Sequence, residues 1–203
     1  MTPIYRMIHK DNLAKLLEWG GDYAPNQCAA RGLTKRTIHH AHIMDRRQSR
    51  SVSCGDGGTL ADYVPFYFRK RSPMLYAIKG GQVEGYSGQR DIVFLQSTAE
   101  RVAAANVDFA FTNGHAVIAY AEFFDSLDDL EQVPWNAVRA KYWHDILDGK
   151  FKCQAEFLVK DFFSLDLVEK IGVYDAAMRA QVEELLRRSR KNLLVLPEQG
   201  WYF

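Results

Sequence analysis

The chain is poor in cysteine: only Cys28, Cys54 and Cys153 occur in 203 residues. They are odd in number, far apart and free of any CxxC pair. That excludes a disulfide framework or a structural zinc as the organising device of the fold. A reducing cytoplasm is the default setting for such cysteine use. Long apolar runs are missing too, so no segment reads as a membrane span. The opening MTPIYRMIHKDN is interrupted by Arg6, His9, Lys10 and Asp11 and does not read as a secretion signal. There is no excess of charge, since 26 basic side chains face 25 acidic ones and the net charge is +1. Whole-molecule charge therefore selects no partner, and any basic surface must be local. Repeats, low-complexity tracts and a convincing linker are absent. One domain over residues 1–203 is the expectation.

What is present is a globular composition, 47% apolar and 13% aromatic, enough to bury a real core. Ile4–Ile8, Tyr63–Phe68, Asp91–Gln96, Phe109–Thr112, Glu156–Val159, Ile171–Tyr174 and Leu193–Leu196 read as strands. LYAI at 75–78 looks like the start of another, and Trp201–Phe203 like a closing one. Leu13, Leu16 and Leu17 form a helical stripe capped by Asp11 or Asn12 and ended by Gly20-Gly21. Further helices are expected at Ser97–Ala105 with Ser97 as cap, at Leu127–Glu131, at Trp135–Trp143 after Pro134, and at Ala176–Arg188. Residues 22–62 show little periodicity and read as a long functional cover. Strands and helices mix without βαβ alternation, which points to an α+β fold.

Several segments carry chemistry. Arg31, Lys35, Arg36, Arg46, Arg47 and Arg50 crowd one stretch with His39, His40 and His42, against Asp45 as its one acid. Phosphate binding and a merely solvated basic loop both fit it. Arg69, Lys70 and Arg71 follow YVPFYF, and cations beside aromatics suit a single strand whose bases stack while its phosphates pair. Alternation sends Phe66 and Phe68 inward and leaves Tyr67 open. The histidines lack acidic or cysteine partners at ligand spacing, so no metal is expected. GDGG at 55–58 lacks a Walker lysine and GxGxxG and reads as a turn. Spacing alone selects neither Glu156 nor His115.

Read in order, IYRMIHKDNL, AHIMDRR, DYVPFYF-RKRSPMLY, FAFTNGHAV and KCQAEFLV resemble the DarT family of DNA ADP-ribosyltransferase toxins over nearly the whole chain. The resemblance implies an α+β ADP-ribosyltransferase-like fold with a central cleft between small sheets that binds NAD as co-substrate. It implies transfer of ADP-ribose to a base of single-stranded DNA, most commonly thymine, with guanine second. Guanine, RNA or protein acceptors, or a noncatalytic single-strand-binding module, are the competing readings. It also implies a macrodomain antitoxin of the DarG type; a monomer is the simplest state.

By the same resemblance Arg47 and Glu156 match the family's catalytic arginine and glutamate, and His115 a third active-site position. Arg6, Met7 and Ile8 match the segment that holds nicotinamide and its ribose, with Arg47 also near NAD. Many relatives carry histidine where this chain has Arg6, which shifts the expected contact toward the backbone of Met7. The loop at 22–62 would cover NAD, with its arginines near the phosphates. The segment from Tyr142 to Ala155 would choose the target. Tyr67, Arg71, Met74, Tyr142, Lys150 and Lys152 are the DNA-facing residues expected, in one groove shared by this segment and the RKRSPM turn. Trp143 reads first as a core residue of the helix opened by Pro134.

Overall fold

The computed structural model describes residues 1–36, 41–86 and 88–203. Strands β1 (Pro3–His9), β3 (Tyr63–Tyr67), β4 (Ile92–Thr98), β5 (Phe109–Thr112), β6 (Phe123–Phe124), β7 (Glu156–Lys160), β9 (Lys170–Val173) and β10 (Leu194–Pro197) make one eight-stranded sheet in the order β10-β9-β4-β1-β3-β7-β5-β6. Every pairing is antiparallel except β9 with β10. β2 (Gly21–Tyr23) and β8 (Phe162–Ser164) pair separately. Helices α1 (Lys10–Trp19), α2 (Pro25–Ala30), α3 (Ala41–Ser49), α4 (Pro73–Lys79), α5 (Ala99–Ala104), α6 (Trp135–Arg139), α7 (Gly149–Lys152) and α8 (Ala176–Arg188) surround them. Mixed helix and largely antiparallel sheet is the α+β class expected.

Both faces of the central strands are buried, following the period of two. On β1, Ile4 and Ile8 join α1, α5 and α8 in one core through Leu13, Leu16, Val102 and Val182. Tyr5 and Met7 face the other way, toward Leu75, Ile78 and Trp201. On β3, Val64 and Phe66 enter the first core together with Phe68 just beyond the strand, while Tyr67 turns to the opposite side.

The sheet is pinched between β1 and β3, which share only the pair Tyr5–Tyr67. The next pair facing the same gap would be Met7 with Pro65. The Pro65 carbonyl points to β1, since it accepts from Arg6 Nη1 at 3.3 Å. In an antiparallel ladder N–H and C=O of one residue face the same neighbour. The donor that proline lacks is therefore the one that would have continued this ladder. The strands part there, and the gap becomes the floor of the site.

Several expected elements differ. LYAI lies in α4, because Ser72 caps the helix through Leu75 N and Pro73 occupies its first turn. The stretch 22–62 holds β2, α2 and α3 and is not structureless. His9, not Asp11 or Asn12, caps α1, its Nδ1 accepting from Asp11 N at 3.2 Å. Thr98 caps α5 while Ser97 stays in β4. The helix after Pro134 ends at Arg139, and Leu127–Gln132 is a 3-10 helix. Trp201 ends a 3-10 turn, and Trp201–Phe203 form no strand because their rings pack over Tyr5, Phe94 and Tyr76. His39 and His40 lie outside the described residues, as does the side chain of His42.

Candidate active site

Glu156 opens β7 directly opposite Tyr67, the last residue of β3. Cross-strand partners point to one face, so both side chains enter the same hollow. Thr112 of β5 anchors the strand end. Its Oγ1 accepts from Glu156 N at 3.0 Å and donates to the Gly114 carbonyl at 2.6 Å. The Glu156 carboxylate is held at both oxygens: Arg47 Nη1 donates to Oε2 at 2.8 Å, and Ala116 N donates to Oε1 at 3.2 Å. Arg47 and Glu156 are 3% and 2% exposed, so this is a desolvated ion pair. Such pairs hold only when geometry and further hydrogen bonds compensate the lost hydration, as they do here.

Arg47 reaches the carboxylate from the last turn of α3. Its neighbours on that helix and just beyond hold the loop that supplies Ala116. Arg46 donates to the Val117 carbonyl at 2.8 Å, and Arg50 donates to those of Ala119 and Ala121, each at 3.1 Å. His115 sits on the same loop, its backbone N–H donating to the Phe151 carbonyl at 3.1 Å. Burial pushes the His115 imidazole below its ordinary pKa, and Arg47, Arg46 and Lys150 push the same way against Glu156. The ring is neutral at pH 7. Burial and the Glu156 charge together raise the Tyr67 phenol, which stays protonated.

Two hollows meet at Arg47, which lines both. The first lies along β1 and is lined by Arg6, Met7 and Ile8 with Asp22, Lys35 and Met44. Arg6 Nε donates to Asp22 at 2.8 Å, and Lys35 donates to the other Asp22 oxygen and to the Tyr23 carbonyl. Burial alone would raise the Asp22 carboxyl, but these two cations outweigh it and hold it low. The second hollow is a cleft of about 780 Å³, walled by Tyr67, Met74, His115, Trp143, Lys150 and Glu156 among others. That volume is in the range of small-molecule sites.

The structure thus brings together Arg6, Met7, Ile8, Arg47, His115, Glu156, Tyr67, Met74 and Lys150. Three DNA-facing expectations lie off the cleft lining. Lys152 Nζ donates to the Leu147 carbonyl at 3.0 Å, Arg71 Nε donates to the Tyr202 carbonyl at 2.6 Å, and Tyr142 is exposed beside His144. Trp143 is not core. It is half-buried on the cleft wall against Tyr76 and Phe203. The basic stretch is mostly engaged with protein groups: Arg36 donates to Asp11, and Arg31 lies over the Tyr23 ring. The GDGG run is a turn whose Gly55 N–H is taken by Asp125 at 2.7 Å. Among the described residues, no group of three or more His, Cys, Asp or Glu side chains could hold a metal ion.

Sequence reasoning missed Thr112, Ala116 and the Gly114–Phe151 contact. A Cβ on Gly114 would lie 2.2 Å from the Phe151 ring, which is how closely α7 sits on the His115 loop. The glycine in TNGHAV was the one visible signal.

The family model described as "ssDNA thymidine ADP-ribosyltransferase, DarT" matches residues 5–203. A DNA ADP-ribosyl transferase of Thermus sp. strain 2.9 is 41% identical over 204 residues, covering 100% of this chain and 96% of the relative. The structure of Thermus sp. 2.9 DarT in complex with ADP-ribosylated single-stranded DNA superposes with a TM-score of 0.94 at 41% identity, covering 100% and 96% of the two chains. The complex of the same protein with NAD+ gives 0.91 at 39% identity, covering 100% and 98%. A transferase–glycohydrolase fusion protein of Thermosipho africanus is 22% identical over 203 residues, covering 98% of this chain and 49% of its own length. With a family model over almost its full length and relatives above 40% identity, the chain belongs to the DarT family of single-stranded-DNA thymidine ADP-ribosyltransferases.

Proposed function

We propose that the two hollows meeting at Arg47 divide the labour of one reaction, with NAD along β1 and the thymidine of single-stranded DNA in the wide cleft. Family membership makes the chain an NAD-dependent transferase of ADP-ribose to thymidine in DNA. The single observation that carries our residue assignment is the buried 2.8 Å Arg47–Glu156 pair at the junction of the two hollows.

In this reading the parted β1–β3 ladder offers the backbone of Met7 to the nicotinamide amide. Arg6 is a positioning residue, its guanidinium turned to Asp22 and Pro65. The bond between ribose C1 and nicotinamide nitrogen breaks with its electron pair going to the neutral leaving nicotinamide. Positive charge then spreads over C1 and the ring oxygen. The Glu156 carboxylate, fixed before substrate arrives, stabilises that charge without reorganising. The thymine ring nitrogen attacks C1 and loses its proton, which Glu156 takes up. Arg47 stays protonated and stabilises the base as it becomes anionic, since guanidinium is no proton acceptor at neutral pH. Neutral His115 offers a hydrogen-bond acceptor beside it.

Beyond the reaction, the fusion of a transferase with a glycohydrolase in the Thermosipho relative supports a DarG-type macrodomain partner that removes the mark. We place the enzyme in the cytoplasm as a monomer, where modified thymidine would block replication. No described helix is long and apolar enough to cross a membrane.

The test incubates the protein with NAD and a mixed-sequence single-stranded oligonucleotide, beside Glu156→Ala. Intact mass reads the DNA, and chromatography reads nicotinamide. ADP-ribose on thymidine with wild type alone is the expected result. Equal modification by Glu156→Ala overturns the assignment of Glu156. DNA that binds without modification by either protein returns the binding-module reading.

A further inference from the structure

Beside the wide cleft lies a second groove that the reaction leaves unused. It is a hollow of about 460 Å³ lined by Arg69, Lys70, Arg71, Arg139 and Lys141, with Trp135 and Tyr5 in its wall. Among the described residues that line it there is no carboxylate. In a chain of net charge +1 this is a local concentration of one sign. Several cations elsewhere meet acids: Lys10 with Asp91, Lys35 with Asp22, Lys170 with Glu198, Arg179 with Glu183. Among the described residues none of the groove's five cations forms an ion pair; like Arg46 and Arg50 near the active site, they rest on rings and carbonyls. The Lys70 ammonium lies 4.7 Å from the Trp201 ring centroid, the Arg139 guanidinium 5.1 Å from Trp135, and the Lys141 ammonium 5.1 Å from Tyr142. Arg69 donates to the carbonyls of Ala137 and Ala140 and holds residues 137–140 in place. These contacts orient the cations without an ion pair; Glu198, which pairs with Lys170, offsets part of the charge of Lys70, while Arg139 and Lys141 stay exposed.

The groove and the cleft share no lining residue, but the same two chain segments line both. Residues 67–74 supply Tyr67 and Met74 to the cleft and Arg69, Lys70 and Arg71 to the groove. Residues 139–151 supply Arg139 and Lys141 to the groove and Trp143 and Lys150 to the cleft. Arg69 lies 5.8 Å over the Trp143 ring at the boundary. Cations spread along two segments suit a chain of phosphates more than one compact anion.

We infer that this groove carries the phosphate backbone of the single strand on one flank of the modified thymidine, as a track leading out of the cleft past Trp143. The inference rests on the DNA reading of the cleft. It adds that affinity grows with strand length on one side only, while the chemistry at the thymidine stays independent of the groove.

The test compares oligonucleotides of about 5 nucleotides with others of about 15, extended on either the 5′ or the 3′ side. Binding is read by fluorescence anisotropy over a salt series, and modification by intact mass, for wild type and the Arg139→Ala/Lys141→Ala variant. Both side chains are exposed, so the variant folds, and its melting temperature checks this. Wild type should bind one extended strand about tenfold tighter than the short one. The variant should lose that gain, lower the salt slope on that strand by about 1.4 at ~0.7 per phosphate, and modify the short strand at the wild-type rate. Lys141→Arg with Arg139→Lys should restore the gain. Short strands modified normally with no length effect in wild type overturn the groove but leave the enzyme reading intact, and open the groove to an acidic protein instead. Equal loss on short and long strands also overturns it, placing these cations in the cleft. Length-dependent binding without any modification keeps the groove and sinks the proposed chemistry.

Discussion

A buried ion pair makes Arg47 and Glu156 a double-edged place for substitution. Removing one partner leaves the other charge desolvated, which costs about 3–5 kcal/mol, while replacing both with apolar residues of similar volume is often neutral. Glu156→Leu should therefore lower the melting temperature markedly, and Arg47→Met/Glu156→Leu should recover it. Neither should transfer ADP-ribose, with rates down at least about a thousandfold on the scale of lost preorganised electrostatics. Calorimetry beside a nicotinamide assay separates the two roles. A double variant that regains activity with its stability would show that the pair only holds the fold. His115 gives a second prediction, in pH. Its folded pKa lies below 6.5, as does that of His9, so in that window the unfolded chain binds more protons and stability falls as pH falls. The loss begins near 6.5 and ends below the depressed folded values, where both states are protonated. His115→Gln should flatten the slope in part, leaving the His9 share, in which protonation removes the acceptor that caps α1. An unchanged slope across pH 5–7 would remove His115 from the half-buried, neutral state described above.

At the scale of elements, the site depends on α7 lying against the loop that carries His115. Gly114 permits this, and Phe151 fills the space, packed 4.7 Å from the Tyr120 ring. Gly114→Ala should cost about 1–3 kcal/mol by overpacking. Because the two residues share one gap, Gly114→Ala/Phe151→Ala should cost less than the sum of the single changes, with a coupling of about 0.5–3 kcal/mol in denaturant titrations. Simple additivity would mean that the loop yields without moving α7. Elements of this kind were unevenly legible. Short apolar and aromatic runs announced β1, β3, β5 and β7, whose residues are buried almost throughout, and helical spacing gave α8 from Ala176 to Arg188. LYAI misled because short apolar runs fit strand and helix equally; the Ser72-Pro73 pair before it, a cap followed by a first-turn proline, is what decides for helix. α3 escaped because most of its nine residues are polar or charged and its purpose is to aim Arg47. Arg47 and Glu156 lie 109 residues apart, so no spacing rule joins them; only the family resemblance did. Thr112 and Ala116 act through a hydroxyl and a backbone N–H, which residue type does not advertise.

Across the whole molecule, the proposed reading has one parted sheet present two hollows to two substrates, and their energetics should then separate. NAD in the hollow along β1 would bridge strands that share one pair, so its binding adds to the folded state alone. At about a hundred times its dissociation constant that is worth about 2.7 kcal/mol. For a chain near 200 residues, 1 kcal/mol corresponds to about 2–4 °C, so NAD should raise the melting temperature by roughly 5–11 °C. Lys150→Ala, on the wall of the wide cleft, should leave this shift intact while weakening single-stranded DNA binding and its salt slope by about 0.7. Lys152→Ala should change neither, since its ammonium is turned to the Leu147 carbonyl. Arg6→Gln should do the reverse of Lys150→Ala: it frees Asp22 from one of its two cations, loosens the Met7 edge and shrinks the NAD shift, with DNA affinity kept. If instead Lys150→Ala abolishes the NAD shift, or Arg6→Gln abolishes DNA binding, the two hollows are one site and the division at Arg47 is wrong.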